Sequence, residues 1–290
     1  MSECRSVLGV DLASKRWKDV GTALLTLAGD VETVIEVKPV AVQWPVNTSL
    51  KGRALANAID DFARAAEVNA VSIDGPQGWR RAAAPPDQGV GRACERSAHC
   101  PGKTGSYGVT YPHNQLGWIS LSIEVFDRLV KREHVHLLNH VDDVPLPALP
   151  AGEYYVLECF PTVTWRSAGL VALPAKSRKP DTASYFAQLS TRWPLPVLES
   201  SLGHDDLQAV VASLVAAASL GMGKPIAHGV SAEVIPARGD APAHRVEGII
   251  WDASPPLAGG LADDSTGTHG VVPKRLRIGR PGRTSYSTTR

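Results

Sequence analysis

Two aspartates follow short apolar segments that have the pattern of buried strands. Asp11 ends the segment 6–11, and Asp74 ends the segment 70–74. An uninterrupted Val/Leu-rich run is typical of a strand with helices on both faces, and open α/β sheets bind their ligands at the strand ends. If the two strands are parallel neighbours, both carboxylates lie at one edge of the sheet. They then repel each other unless a cation or a shared proton lies between them.

Two further acids extend this set into a possible site for divalent cations. Glu158 lies near the end of a third apolar segment, and Asp205 lies at the start of an apolar helix. Hydrolysis of a phosphodiester needs a nucleophilic water, charge neutralisation at phosphorus and a stabilised leaving oxygen, which two divalent ions about 3.5–4 Å apart supply. The predicted ligands of Mg²⁺ or Mn²⁺ are Asp11, Asp74 and Asp205. Glu158 joins them as a fourth predicted catalytic residue.

Basic residues are the candidates for substrate binding. Arg92 and Arg96 carry forked donors that match a phosphate, and Lys15 lies just beyond the first strand. Solvated arginines are equally common in loops, so that alternative stays open. Lys176 is a weaker candidate of the same kind, and His204 could transfer a proton.

Each acid also has a structural interpretation. Asp11 could cap the turn after its strand, and Asp74 precedes Gly-Pro, which is a strong turn signal. Glu158 could belong to an ion pair, and Asp205 and Asp206 lie in a first helical turn, where acids favour the helix dipole. The pairing of Asp11 with Asp74 favours a shared site over two separate turns.

Link lengths predict how the first strands are arranged. The apolar segments 20–27 and 31–40 follow the first strand after short links, so the three strands form an antiparallel meander. A helix over 50–66 then leads to the strand that ends at Asp74, and a helical crossover makes that strand parallel to the first. The order β-β-β-α-β is the most informative indication of the fold.

The remaining chain alternates loops, helices and strands. We predict a long loop or insertion at 80–112, helices at 116–133, 180–193 and 204–220, a buried strand at 154–161 and an edge strand at 246–251. The helix 204–220 is apolar nearly all round, as expected for a helix buried between layers. If its alanine-rich side lies against the sheet, Asp205 points toward the strand ends.

Composition places the chain among ordinary globular proteins. It has 290 residues, 43% of them hydrophobic, and a formal net charge of +1. No apolar run approaches the roughly 18 residues that span a bilayer, and the first residues do not have the pattern of a signal peptide, so we expect a cytoplasmic protein. Residues 256–290 are rich in Gly, Ser, Thr and basic residues and predict a disordered basic tail.

Six short motifs occur in a fixed order along the chain. They are Gly9-Val10-Asp11-Leu12-Ala13, Ile73-Asp74-Gly75-Pro76-Gln77-Gly78-Trp79, Arg92-Ala93-Cys94-Glu95-Arg96, Glu158-Cys159-Phe160-Pro161, His204-Asp205-Asp206-Leu207-Gln208-Ala209 and Val246-Glu247-Gly248-Ile249-Ile250-Trp251. In this order they resemble the uncharacterised family catalogued as domain of unknown function 429. The resemblance spans about residues 6–252.

That family is regarded as a predicted nuclease family of the ribonuclease H-like fold, related to Holliday-junction resolvases. The resemblance implies an α/β fold with a five-stranded mixed sheet, three antiparallel strands first and parallel strands after them, flanked by helices. It also implies that Asp11 and Asp74 are metal carboxylates and that Glu158 lines the site. Where the family usually has Asp on its last helix, this chain has Gln208. Either Asp205, one turn earlier, replaces that ligand, or the site lacks one.

We therefore expect one ribonuclease H-like domain over 1–255, with an insertion at about 80–150 and the basic tail after it. The expected function is that of a metal-dependent nuclease, which hydrolyses DNA or RNA by a two-metal-ion mechanism with its carboxylate cluster. One alternative is a nucleic-acid-binding protein of the same fold with impaired catalysis, motivated by Gln208. Another is a nucleotide phosphotransferase, because actin-like and sugar-kinase folds begin with a comparable strand and aspartate.

Overall fold

The computed structural model describes residues 5–13, 15–28, 34–39, 49–82, 90–101, 103–198, 201–239 and 241–256. Its strands in these ranges are β1 (Arg5–Asp11), β2 (Gly21–Leu27), β3 (Val34–Pro39), β4 (Val68–Asp74), β5 (Val135–Leu137), β6 (Tyr154–Cys159), β7 (Lys224–Ile235) and β8 (His244–Ser254). Its α-helices there are α1 (Gly52–Ala65), α2 (Ala93–Ser97), α3 (Leu116–Leu129), α4 (Pro161–Ser167), α5 (Thr182–Ser190) and α6 (His204–Ser219).

The strands form one mixed sheet in the order β3-β2-β1-β4-β6-β8-β7. The first three strands pair antiparallel, and β1, β4 and β6 are parallel neighbours, so both predictions are confirmed. On its other edge β6 pairs with β5 along its first half and with β8 along its second half, parallel in both cases. With eight strands in the described ranges, the sheet is larger than the five that were expected.

The prediction for the last part of the sheet was wrong in two respects. Residues 246–251 were expected to form an edge strand, but they belong to β8, which lies between β6 and β7. The strand β7 was not predicted, although it pairs antiparallel with β8 over most of its length. Because most of its side chains are half-buried or exposed, β7 lacks the apolar run by which a buried strand is recognised.

The sheet separates two hydrophobic layers, because successive side chains of a strand point to opposite faces. On one face α6 packs over β1 and β2, and its layer includes Val7 and Ala70. On the other face α1 and α3 cover Leu8 and Val71. The alternation along β1 and β4 therefore decides which side chains face α6.

The region 80–150, which was predicted to be an insertion, contributes to this core. It contains α3, whose Val125 and Phe126 are fully buried in the layer shared with α1. Of the predicted tail, residues 257–290 lie outside the described residues. None of the helices within the described ranges combines the length and the apolar content that crossing a membrane requires.

Two glycines allow α6 to lie directly on the sheet. A Cβ atom at Gly9 would lie 1.9 Å from the carbonyl oxygen of Ala209, and one at Gly21 would lie 2.1 Å from that of Asp205. Gly21 is the register partner of Asp11 in the antiparallel pair of β1 and β2. The first turn of α6 is therefore held beside the carboxyl end of β1.

Candidate functional site

Asp11 and Asp74 lie side by side at the carboxyl ends of β1 and β4. They are register partners, and both face α6, as do Val7 and Ala70 at alternating positions of the same strands. Burial and the adjacent carboxylate of Asp74 raise the pKa of Asp11 well above its usual value. Burial raises the pKa of Asp74 to about 7, although the charge of Lys103 opposes the shift, and a hydrogen bond joins the two carboxyl groups. Two acids in this arrangement hold either a shared proton or a cation.

The first turn of α6 brings two more groups to Asp11. One potential ligand atom from each of Asp11, His204 and Asp205 lies within 4.8 Å of the others. The next residue, Asp206, accepts hydrogen bonds from the backbone at the start of α6 and in β2, so it fixes the helix to the sheet. The predicted metal ligands thus lie around Asp11, with Asp74 on the adjacent strand and Asp205 on the helix.

His204 is held between a backbone carbonyl and an acid. Its Nε2 atom lies 3.0 Å from the carbonyl oxygen of Pro174, and its Nδ1 atom lies 3.0 Å from Oδ1 of Asp205. The sequence suggested this histidine only as a group that transfers protons. The structure makes it the third member of the cluster with Asp11 and Asp205.

A lysine from the segment before α5 reaches the same cluster. The ammonium group of Lys176 forms an ion pair with Asp205 and lies 3.5 Å from Oδ1 of Asp19. The hydrogen bond to Asp205 raises the pKa of Lys176. In turn, the ammonium opposes the rise in the pKa of Asp11. The sequence suggested Lys176 as a weak phosphate ligand, whereas here it neutralises part of the acidic edge.

Glu158, predicted as a fourth catalytic residue, is not a member of the group of Asp11, His204 and Asp205, but it lines a small cleft together with Asp74, and its charge helps to raise the pKa of Asp74. Its register partner on β4 is Ile73, which packs in the layer of α1 and α3, so Glu158 lies on the face opposite Asp74. There its carboxylate accepts hydrogen bonds from the guanidinium of Arg92 and, at 2.9 Å, from the backbone N–H of Gln77. Burial raises the pKa of Glu158, and the positive charge of Arg92 opposes that shift.

Arg92, which was predicted to bind substrate, directs its guanidinium to Glu158 and also lines the cleft beside Asp74. The Arg92 side chain is 1% exposed, and Nη1 donates to Glu158 at 2.8 Å. Its Nη2 atom also lies 3.5 Å from Glu95, which accepts hydrogen bonds from the hydroxyl of Thr104 at 2.6 Å and from the backbone N–H of Lys103 at 3.1 Å. This network connects Arg92, Glu95, Lys103 and Thr104 to the end of β6.

The other two predicted substrate-binding residues lie outside the cluster of Asp11, His204 and Asp205. Arg96 donates a hydrogen bond of 2.7 Å to the carbonyl oxygen of Gly91. Lys15 is exposed beyond the end of β1. Neither observation bears on substrate binding by these side chains.

A small cleft opens beside Asp74 at the same edge of the sheet. It has a volume of about 30 Å³, and its lining includes Asp74, Lys103 and Trp118. The indole N–H of Trp118 donates to the carbonyl oxygen of Leu12 at 3.0 Å, which fixes α3 to the end of β1. The ammonium group of Lys103 lies 5.5 Å from the centre of the Trp118 ring, within cation–π range. No sequence pattern singled out Lys103, because it lies in an irregular segment.

Gln208, at the position where the resembling family usually has Asp, has a packing role. Its Oε1 atom accepts a hydrogen bond of 3.2 Å from the indole N–H of the buried Trp165. The side chain is therefore directed to α4. Asp205, one turn earlier, is the α6 acid that lies at Asp11.

Asp74 leaves one oxygen unsatisfied. Its Oδ1 atom is buried and has no hydrogen-bond partner among the described residues. A buried carboxylate oxygen without a partner is costly, and a cation or water would satisfy it. The carboxylates of Asp11, Asp74 and Asp205 and the imidazole of His204 are donor types that divalent cations take in proteins. The residues present therefore fit a divalent cation.

Comparison with known proteins finds no counterpart: no protein-family model, no curated protein and no solved structure matches the chain. The resemblance to the domain of unknown function 429 family stays a prediction. Functional conclusions therefore depend on the site itself.

Proposed function

We propose that this protein is a metal-dependent nuclease of the ribonuclease H-like fold that hydrolyses phosphodiester bonds of DNA or RNA. The observation that carries the proposal is the in-register pair Asp11 and Asp74, to which α6 adds Asp205. The partial order β3-β2-β1-β4-β6, with antiparallel strands first and parallel strands after them, supports the fold assignment. The strands β7 and β8 extend that arrangement on the far side of β6.

The proposed chemistry assigns a separate task to each group. Divalent ions at such a site neutralise charge at phosphorus and activate a water. Asp11, Asp74 and Asp205 hold these ions through their oxygens. Lys103, beside the cleft, attracts the phosphate of the substrate, and Trp118 forms the adjoining wall. The buried pair of Arg92 and Glu158 acts indirectly, because it holds the segment that carries Lys103.

The test is cleavage of labelled single- and double-stranded DNA and RNA in Mg²⁺ or Mn²⁺. The variants are Asp11→Asn and Asp74→Asn, with Asp61→Asn as the matched control, because Asp61 is exposed on α1. We expect each site variant to lose at least about 100-fold in rate, more than the loss of an outer partner of a metal ligand costs. Wild-type rates in both site variants, or no cleavage of any substrate by the wild type, would refute the proposal.

A second function, nucleic-acid binding without catalysis, is favoured by two contacts. The side chain of Gln208 accepts a hydrogen bond from Trp165, so it is not directed to the acidic pair. The ammonium of Lys176 forms an ion pair with Asp205 and so neutralises one of the metal ligands. Such a protein would bind oligonucleotides in EDTA with an affinity that falls as salt rises, and would not cleave them in any metal. Fluorescence anisotropy over a salt series, run beside the cleavage assay, distinguishes the two functions.

A further inference from the structure

The hydrogen bonds of His204 identify which of its ring nitrogens carries a proton. Nε2 lies 3.0 Å from the carbonyl oxygen of Pro174, and a carbonyl oxygen can only accept. Nε2 is therefore the donor. In the neutral imidazole the other nitrogen, Nδ1, then carries a lone pair.

That lone pair is directed to another acceptor. Nδ1 lies 3.0 Å from Oδ1 of Asp205, and the side chains of His204 and Asp205 are 16% and 18% exposed. Two acceptors at this distance repel each other unless a proton or a metal ion lies between them. Asp11 contributes the third ligand atom of the group, all within 4.8 Å of one another. The cluster is therefore arranged for one cation shared by one nitrogen and two carboxylates.

A separate observation at the same edge supports a bound cation. Oδ1 of Asp74, the register partner of Asp11, is buried and has no hydrogen-bond partner among the described residues. This observation is independent of the contact between His204 and Asp205. The acidic edge thus has an unsatisfied oxygen at a second position, besides the one that faces Nδ1.

We propose that His204 is a metal ligand through Nδ1, together with Asp11 and Asp205, and that the site prefers a divalent transition-metal ion to Mg²⁺. A histidine that binds metal commonly donates its other ring N–H to a backbone carbonyl, as Nε2 does to Pro174. Imidazole nitrogen suits transition metals, whereas Mg²⁺ takes oxygen ligands. His204 adds a nitrogen ligand beside Asp205 on the first turn of α6. The inference rests on the metal centre of the proposed nuclease and adds its nitrogen ligand and its metal preference.

The alternative is a doubly protonated His204 that donates to Asp205 without any metal. Electron spin-echo spectroscopy of Mn²⁺ bound to the full-length protein separates the two cases, because a directly bound imidazole couples its ¹⁴N nucleus to the metal. The comparison is between wild type, His204→Gln and the control His136→Gln. His136 has a similar carboxylate partner, Glu153 at 2.7 Å, at the opposite end of β6.

We expect ¹⁴N coupling in the wild type and in His136→Gln, and its loss in His204→Gln. By calorimetry, the Kd for Mn²⁺ should rise at least about tenfold in His204→Gln, while the Kd for Mg²⁺ should change by less than about twofold. The wild-type spectrum needs no variant, so it decides the matter even if His204→Gln folds poorly. Bound Mn²⁺ without ¹⁴N coupling, coupling that persists in His204→Gln, or no Mn²⁺ binding would each overturn the inference.

These outcomes are distinguishable from failure of the proposed function. Coupling to ¹⁴N in a protein that cleaves no nucleic acid would support the nitrogen ligand and refute the nuclease. Cleavage in Mg²⁺ that is unchanged in His204→Gln, without ¹⁴N coupling in Mn²⁺, would support the nuclease and refute the nitrogen ligand.

Discussion

At the scale of single residues, the acids that were predicted to form the site have different partners. Asp11 and Asp74 share a hydrogen bond, Asp205 meets Lys176, and Glu158 meets Arg92. The two ion pairs differ in exposure: the side chain of Lys176 is 56% exposed, whereas that of Arg92 is 1% exposed. An exposed pair contributes little to stability, whereas breaking a buried pair leaves a charge without solvent. Removal of the Arg92 side chain should therefore destabilise the protein more than removal of the Lys176 side chain.

Arg92→Met should lower the free energy of unfolding by about 3–5 kcal/mol, because it leaves Glu158 buried without its cation. Chemical denaturation measures the change. Arg53→Met, at an exposed position of α1, is the control and should change stability by less than about 0.5 kcal/mol. If Arg92 instead served as a phosphate ligand, its substitution would leave stability at the wild-type value and weaken nucleic-acid binding alone.

Lys176→Met should strengthen Mn²⁺ binding about two- to fivefold, because the ammonium and the metal compete for Asp205. The upper limit of about fivefold corresponds to the contribution of up to about 1 kcal/mol that an exposed ion pair makes. Calorimetric titration measures it, with Arg178→Met, exposed on the same turn, as the control. Weaker Mn²⁺ binding in Lys176→Met would show that the lysine supports the metal instead of competing with it.

At the scale of elements, the position of α6 decides the geometry of the site. The helix backbone lies against Gly9 and Gly21, where no side chain separates it from the sheet. Its first turn carries both His204 and Asp205 to the end of β1. Any substitution that pushes α6 away from β1 should therefore also disturb the cluster of Asp11, His204 and Asp205.

Gly9→Ala should destabilise the fold by about 1–3 kcal/mol or more, because its Cβ would lie 1.9 Å from the carbonyl oxygen of Ala209. The displaced helix should also bind Mn²⁺ more weakly. Gly117→Ala in α3 is the control, because its Cβ meets no atom within 4 Å. That substitution should stabilise the protein by about 0.5–1 kcal/mol. A melting temperature of Gly9→Ala equal to that of the wild type would show that α6 can move away at no cost.

At the scale of the whole molecule, the acidic edge links protonation to global stability. Burial raises the pKa values of Asp11 and Asp74 in the folded protein, to about 7 for Asp74; the charge of Asp74 adds to the rise at Asp11, whereas that of Lys103 opposes the rise at Asp74. Between the unfolded pKa of about 3.9 and the folded one, the folded state holds protons that the unfolded chain has released. The stability from these groups is complete below that range, is lost as pH rises through it and is constant above the folded pKa.

Without metal, the stability advantage of Asp74→Asn over the wild type should therefore grow between pH 5 and pH 7 and then level off. Each raised group contributes at most about 1.4 kcal/mol per pH unit. Denaturation curves across this range measure the difference, and Mn²⁺ at pH 8 should reduce it by stabilising the wild type more than the variant. Asp61→Asn should show a difference that does not depend on pH. A flat difference for Asp74→Asn would contradict the shared burial of the two acids.

Local patterns were sufficient to predict the half of the sheet that contains the acidic pair. Short links make β1, β2 and β3 antiparallel, and the crossover through α1 makes β4 parallel to β1. These features depend on residues close together in the chain, so Asp11 and Asp74 could be placed at one edge. The outer strand β7 has no such pattern, because solvent covers much of it, and it was missed.

The sequence by itself determined which acids end buried strands and which helix carries Asp205. Only the tertiary structure decided which of these side chains share one space. Glu158 pairs with Arg92 on the other face of the sheet because its register places it beside Ile73, although it lines the same cleft as Asp74. Gln208 accepts a hydrogen bond from Trp165. His204 and Lys176 reach the cluster because the segment before α5 packs against the start of α6. The physical reason is that these contacts join residues distant in the chain, so their geometry depends on packing and not on local spacing.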